Sequence, residues 1–223
     1  MYLQLLVLLG LTIVIHGGAI AEEKANGGHA RNARVGVFWP STHSRELLQT
    51  DLEEALRKVG YVAGQNLVLE HRVAAERDEF AKVAADLVSA KCDVLVAIGT
   101  PAAASLKQRT SEVPVVFFDA GDPIAAGLVQ DLSKPGGNVT GFASLGPELS
   151  VKLLELAKET LPTLSRVGVL WDSANPANAR QVEELVRTAS SLNIEIYPVG
   201  IRGDSDTSPT RLGGCGSIMS ERS

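Results

Sequence analysis

Three short stretches of the 223-residue chain carry residue types suited to holding a small charged ligand: IGTPAAAS at 98–105, DAGDPIAAG at 119–127 and DSANPANA at 172–179. Each sets a side chain with a hydrogen-bonding oxygen, Thr100, Asp122 or Asn175, directly before a proline, Pro101, Pro123 or Pro176. That order predicts a helix start: the oxygen accepts an unpaired N–H of the first turn, and the proline has no N–H to leave orphaned. Such a start presents N–H groups and a partial positive charge, so a ligand carboxylate gains both hydrogen bonds and the helix dipole there. Small residues behind it, Ala102 in the first case, let a ligand approach the backbone. Ordinary caps with nothing bound are spelled the same way, but three of them on one sheet edge favour a site.

Both tryptophans of the chain lie in a segment written twice, RVGVFW at 34–39 and RVGVLW at 166–171, the second copy directly before DSANPANA. Trp39 and Trp171 each end a predicted strand, so they are expected at the ligand edge, facing an apolar or aromatic group; the alternative is that each ring fills the gap between strand end and helix. Asp119 and Asp122 are candidates to receive a ligand ammonium or hydroxyl, Asp122 with the competing duty of a cap.

Covalent chemistry finds little support. There is no GxGxxG after the first strand and no GxxxxGK[ST], and GFASLG lacks the GxSxG spacing of a nucleophile elbow. His16, His29, His43 and His71 are scattered without metal-ligand spacing, so neither a metal nor a cofactor is expected. His71 is expected on a solvent-facing strand position and His43 at the surface. With 21 basic against 26 acidic residues and a net charge of -5, no basic patch tracks a nucleic-acid backbone. Cys92 and Cys215 are not expected to pair. The sequon Asn138-Val139-Thr140 enters a predicted buried strand, which argues against glycosylation.

The elements that must position these residues follow from periodicity. Apolar runs of strand length alternate with helical patterns from Arg34 onward, which predicts an α/β fold with a doubly wound parallel sheet. Strands are expected at Arg34–Phe38, Leu67–Val73, Val94–Ile98, Val113–Phe118 and Val139–Phe142. Helices are expected at Arg45–Val59 and Asp78–Ala90, with two more from Pro101 and Pro123. The first puts Leu48, Leu52, Ala55, Leu56 and Val59 on one face before Gly60, which is free to take a left-handed cap. The second does the same with Phe80, Val83, Ala84, Leu87 and Val88.

Residues 34–145 thus form one complete lobe, and 146–165 a hinge or crossover helix, Glu148–Leu161, ended by Pro162. The repeated strand motif opens a second lobe at Arg166, continued by a helix at Ala177–Leu192 and a strand at Ile194–Ile201. This partial lobe, 166–202, gives way to a Ser- and Gly-rich tail at 203–223, and is expected to be truncated, the tail translated out of frame. At the other end, residues 1–21 are uncharged and apolar and read as a secretory signal cleaved before Glu22, although no basic residue precedes the run. An uncleaved anchor is the alternative, for which the run is short. Residues 22–33 read as a disordered lead-in.

Four stretches, LRKVGYVAGQNLVLEHR, VLVAIGTPAA, GDPIAAGLVQDLSKPGGNVTGFASLGPELSVKLLELAKETLP and RVGVLWDSANPANA, closely resemble the substrate-binding proteins of ABC transporters, in the subgroup that includes aromatic amino acid binders. The resemblance runs from about Arg34 to Arg202. It implies a type I periplasmic binding fold, two lobes closing over a small ligand in a hinged cleft, and an ABC permease as membrane partner. Carried to matching positions, it implies ligand contacts at the loop after Phe38, at Thr100, Pro101 and Ala102, at Gly121, Asp122 and Pro123, at Ser144 near the hinge, and at Asn175. The expected protein is an exported, monomeric solute binder, not an enzyme. A truncated relic of such a protein is one alternative, and an α/β enzyme on the same sheet another.

Overall fold

The computed structural model describes residues 32–74, 76–144 and 146–202. The signal segment, nearly all of the lead-in, the tail and Cys215 lie outside the described residues. The chain divides into two compact units after Ser144.

The first unit is a five-stranded parallel sheet in the order β2-β1-β3-β4-β5. The strands are β1 (Ala33–Trp39), β2 (Leu67–Val73), β3 (Val94–Ile98), β4 (Val115–Ala120) and β5 (Val139–Ala143). Three helices connect them: α1 (Thr42–Lys58), α2 (Phe80–Ser89, entered through a 3-10 turn at Arg77–Glu79) and α3 (Thr100–Lys107). All five predicted strands are present, and β2 and β3 have the predicted bounds.

Alternation along the strands sorts their side chains into two cores, because successive residues point to opposite faces. Val35, Val37 and Trp39 of β1 join Val94, Val96, Ile98 and Val116 under Leu52 and Leu56 of α1. Phe38 of β1 joins Leu95, Ala97, Val115 and Phe117 against Phe80, Val83, Ala84 and Leu87 of α2 and Ala102, Ala103 and Leu106 of α3. Each fully buried Val, Leu or Phe in these layers contributes on the order of 1.5–3 kcal/mol relative to exposure. Helix α1 stops where expected: Val59 caps it and Gly60 follows at φ 90°.

The predicted helix from Pro123 is not a helix. Ala126 N donates to Asp122 O, and Leu128 N and Val129 N both donate back to Pro123 O, closing a compact turn that passes through Gly127 at φ 65°. The positive φ ends any helical run after one turn, and Leu128 and Val129 then drop into the core. Asn138 is committed as well: its Nδ2 donates to Thr110 O and Val113 O, holding the approach to β4.

The second unit contains α4 (Gly146–Thr160), β6 (Arg166–Asp172), α5 (Pro176–Ser191) and β7 (Glu195–Ile201), with β6 and β7 paired in parallel. Its core is Leu154, Leu185, Ala189 and Ile194, with Leu164, Val167, Val169, Leu192 and Ile196 packed around it. Gln181 of α5 ties the helices together by donating to Gly146 O and to Ser150 Oγ.

The tightest backbone approach in the first unit is at Gly141 of β5, where an added Cβ would stand 2.0 Å from the carbonyl oxygen of Phe117 and 2.7 Å from its ring. Gly141→Ala is expected to destabilise the first unit by at least about 1–3 kcal/mol, lowering the melting temperature by about 5 °C or more in a thermal melt; a melt unchanged from wild type would contradict this packing.

Candidate ligand-binding edge

The carboxyl ends of β1, β3, β4 and β5 meet at one edge of the first unit, the side on which open parallel sheets carry ligands. Backbone hydrogen bonds lace it together. Gly99 N donates to Phe118 O at 2.8 Å, and Ser144 N donates to Ala120 O at 2.8 Å. The side chain of Thr100 supplies the next link, accepting from Gly121 N at 3.1 Å.

This changes the part Thr100 plays. The sequence marks it as the helix cap, but the cap is Gly99, at φ 81° and with no side chain to offer, and Thr100 is the first residue of α3. The residue is 1% exposed, and its hydroxyl braces the β4 turn instead. Pro101 follows in the first turn of the helix, half-buried, and Ala102 is wholly buried against the core. Asp122 accepts from Ala125 N at 2.9 Å, capping the turn where a helix was expected, and Pro123 behind it is buried. Ser144 is half-buried.

Trp39 requires a correction. The ring is 0% exposed and lies beneath α1, on the same sheet face as Val35 and Val37, so it does not face a ligand at the edge. The sequence shows where the strand ends but not that α1 covers its last residue. His71, expected on a solvent-facing position, is the partner: Trp39 Nε1–H donates to His71 Nδ1 at 3.0 Å, and the two rings lie 5.9 Å apart at 30°. Register explains the meeting, because β2 pairs Trp39 with Val73 and so brings His71 alongside, two residues earlier. The imidazole is therefore neutral with its proton on Nε2, which lies 4.0 Å from Glu53 of α1. His43 is exposed, as expected.

In the second unit, Asn175 caps α5 as the sequence predicts, its Oδ1 accepting from Ala177 N at 3.1 Å. Trp171 is half-buried and paired with Gly200 of β7, whose missing side chain leaves room beside the indole. Cys92 is buried and unpaired, and burial pushes its thiol up, away from reactivity. Among the described residues there is no cluster of three or more candidate metal ligands, and no helix is long and apolar enough to cross a membrane.

A family model described as ABC transporter substrate binding protein matches residues 35–210. The chain belongs to the ABC transporter substrate-binding protein family. A tyrosine-binding protein from Clostridioides difficile is 33% identical over 193 residues, which are 85% of this chain and 55% of that protein. Among solved structures, a Streptococcus pneumoniae ABC domain in complex with L-Trp superposes with a TM-score of 0.76 at 29% identity, covering 83% of this chain and 62% of that one. A conserved domain protein from Vibrio cholerae gives a TM-score of 0.74 at 30% identity, over 79% and 60% of the respective chains. A leucine-binding protein from Thermotoga maritima, at 17% identity and a TM-score of 0.63, covers 84% of this chain and 54% of its own and shares the type I periplasmic binding fold. The chain thus spans little more than half the length of these relatives.

The Trp39–His71 contact is expected to make the first unit sensitive to acid. Burial holds the His71 pKa below its ordinary value and the Arg45 charge lowers it further, against the opposing charges of Glu53 and Glu70. The folded state thus binds this proton less tightly than the unfolded chain, whose histidine titrates near pH ~6.5. The stability linked to His71 is present above that range and is lost as pH falls through it toward the lowered folded value. His71→Asn, which keeps an acceptor near Nδ1 but cannot titrate, is expected to flatten the fall in melting temperature between neutral and mildly acidic pH. Equal pH slopes for variant and wild type would refute the assignment.

Proposed function

We propose that this chain acts as the exported solute-binding component of an ABC importer. It binds an amino acid or a similar small molecule and presents it to a membrane permease without covalent chemistry. The observation that carries the reading is the family match across both units, together with a braced carboxyl edge of the kind that receives ligands in parallel sheets. Two of the relatives named above bind aromatic amino acids, tyrosine and L-Trp, and this favours a ligand of that class.

In this reading the ligand carboxylate meets the N–H groups at the start of α3, beside Thr100 and Pro101, and the ammonium lies toward the Gly121–Asp122 turn. Ser144 stands at the point where the chain leaves the first unit, and Trp171 and Asn175 are the contacts that the second unit offers. Trp39, Ala102 and Pro123 support the edge from beneath. The apolar N-terminal run directs export, and the mature protein works outside the cytoplasm as a monomer.

Calorimetry of the purified chain against a panel of aromatic and aliphatic L-amino acids tests the reading. An aromatic member is expected to bind and, at about 100 times its Kd, to stabilise the protein by about 2.7 kcal/mol, seen as a rise of several degrees in melting temperature. A panel that neither binds nor shifts the melt would rule the reading out.

A further inference from the structure

We infer that Asp119 selects for ligands that carry a cationic nitrogen at the carboxyl edge of the first-unit sheet. The inference rests on the binding role proposed above and adds a charge preference to it.

Asp119 is exposed and sits at φ 60°, a left-handed conformation that is uncommon for residues other than glycine and that aspartate and asparagine adopt more readily than most. It is the extra residue of a β-bulge. The pairing of β4 with β5 runs from Phe118↔Phe142 directly to Ala120↔Ala143, so β4 advances two residues against one. The two cores record the same slip. Phe117 and Ala120, three apart, pack in one core, whereas strict alternation would send Ala120 to the opposite face and Asp119 inward with Phe117. The bulge turns the carboxylate out of the core.

Its neighbours hold it there, since Phe118 O accepts from Gly99 N and Ala120 O accepts from Ser144 N. A strained position fixed from both sides is the kind that structures retain at functional sites. Two other polar side chains of this edge are already engaged: the Thr100 hydroxyl accepts from Gly121 N, and Asp122 Oδ1 accepts from Ala125 N. Asp119 makes no hydrogen bond or ion pair to any described residue, which leaves a full negative charge available at the edge where the ligand is proposed to lie. A carboxylate pairs best with a charged N–H donor, through hydrogen bonds roughly twice as strong as neutral ones.

Calorimetry with the full chain decides the matter. The probes are L-tyrosine, L-tryptophan and L-lysine, together with 3-(4-hydroxyphenyl)propionate and indole-3-propionate, which lack the ammonium. The variants are Asp119→Asn, which tolerates the same backbone but has no charge, and Asp119→Gly, which relieves the strain. Wild type is expected to bind an aminated probe at least tenfold more tightly than its deaminated counterpart. Both variants should lose at least tenfold on the aminated probe and leave the deaminated one unchanged, and Asp119→Gly should melt higher than wild type.

Aminated probes that bind the variants with wild-type affinity would overturn the charge preference and leave the binding role standing. So would a deaminated probe that matches its amine on wild type. If no probe binds the wild type, the binding role and the charge preference fall together.

Discussion

A parallel strand has to be covered on both of its faces, and the first unit is organised around that requirement. The crossovers between parallel strands supply the cover, with α1 over Val35, Val37 and Trp39 and with α2 and α3 over Phe38, Leu95 and Phe117. Because each crossover leaves the carboxyl end of a strand, helix starts and turns gather at one edge. The place for ligand chemistry is thus a by-product of covering the sheet. The second unit meets this requirement on one face only. Its core joins α4 and α5 to one face of β6 and β7, through Val167, Val169 and Ile196, while Leu170, which points the other way, is 53% exposed.

The edge is rigid because its strands are tied to each other by more than the sheet ladder. The links from Gly99 to Phe118, from Gly121 to Thr100 and from Ser144 to Ala120 fasten the ends of β3, β4 and β5 at successive points. Thr100 shows how such a frame reassigns a residue. A threonine before a proline has the chemistry of a cap, but with Gly99 at positive φ opening the helix, its hydroxyl reaches across to the next strand end. Trp39 was reassigned in the same way, from a possible ligand contact to a core ring whose only polar atom is satisfied by His71.

Local pattern determined much of this protein: the five strands of the first sheet, the positions of its helices, the restart at Arg166 and the cap at Asn175. These follow from the spacing of apolar residues and from capping chemistry, both of which act within a few residues. The family itself was legible for the same reason, since its motifs are local strings in a fixed order.

What only the tertiary structure decided depends on neighbours distant in the chain. Strand register placed His71 against Trp39, the approach of β3 to β4 made Thr100 a brace, and a one-residue slip between β4 and β5 turned Asp119 outward. The turn at Pro123 belongs with them, because the burial of Leu128 and Val129 in the core favours a tight return over a continued helix. Sequence periodicity states which face a residue occupies along its own strand. The partner it meets across the sheet is set by pairing, and pairing exists only once the strands have assembled.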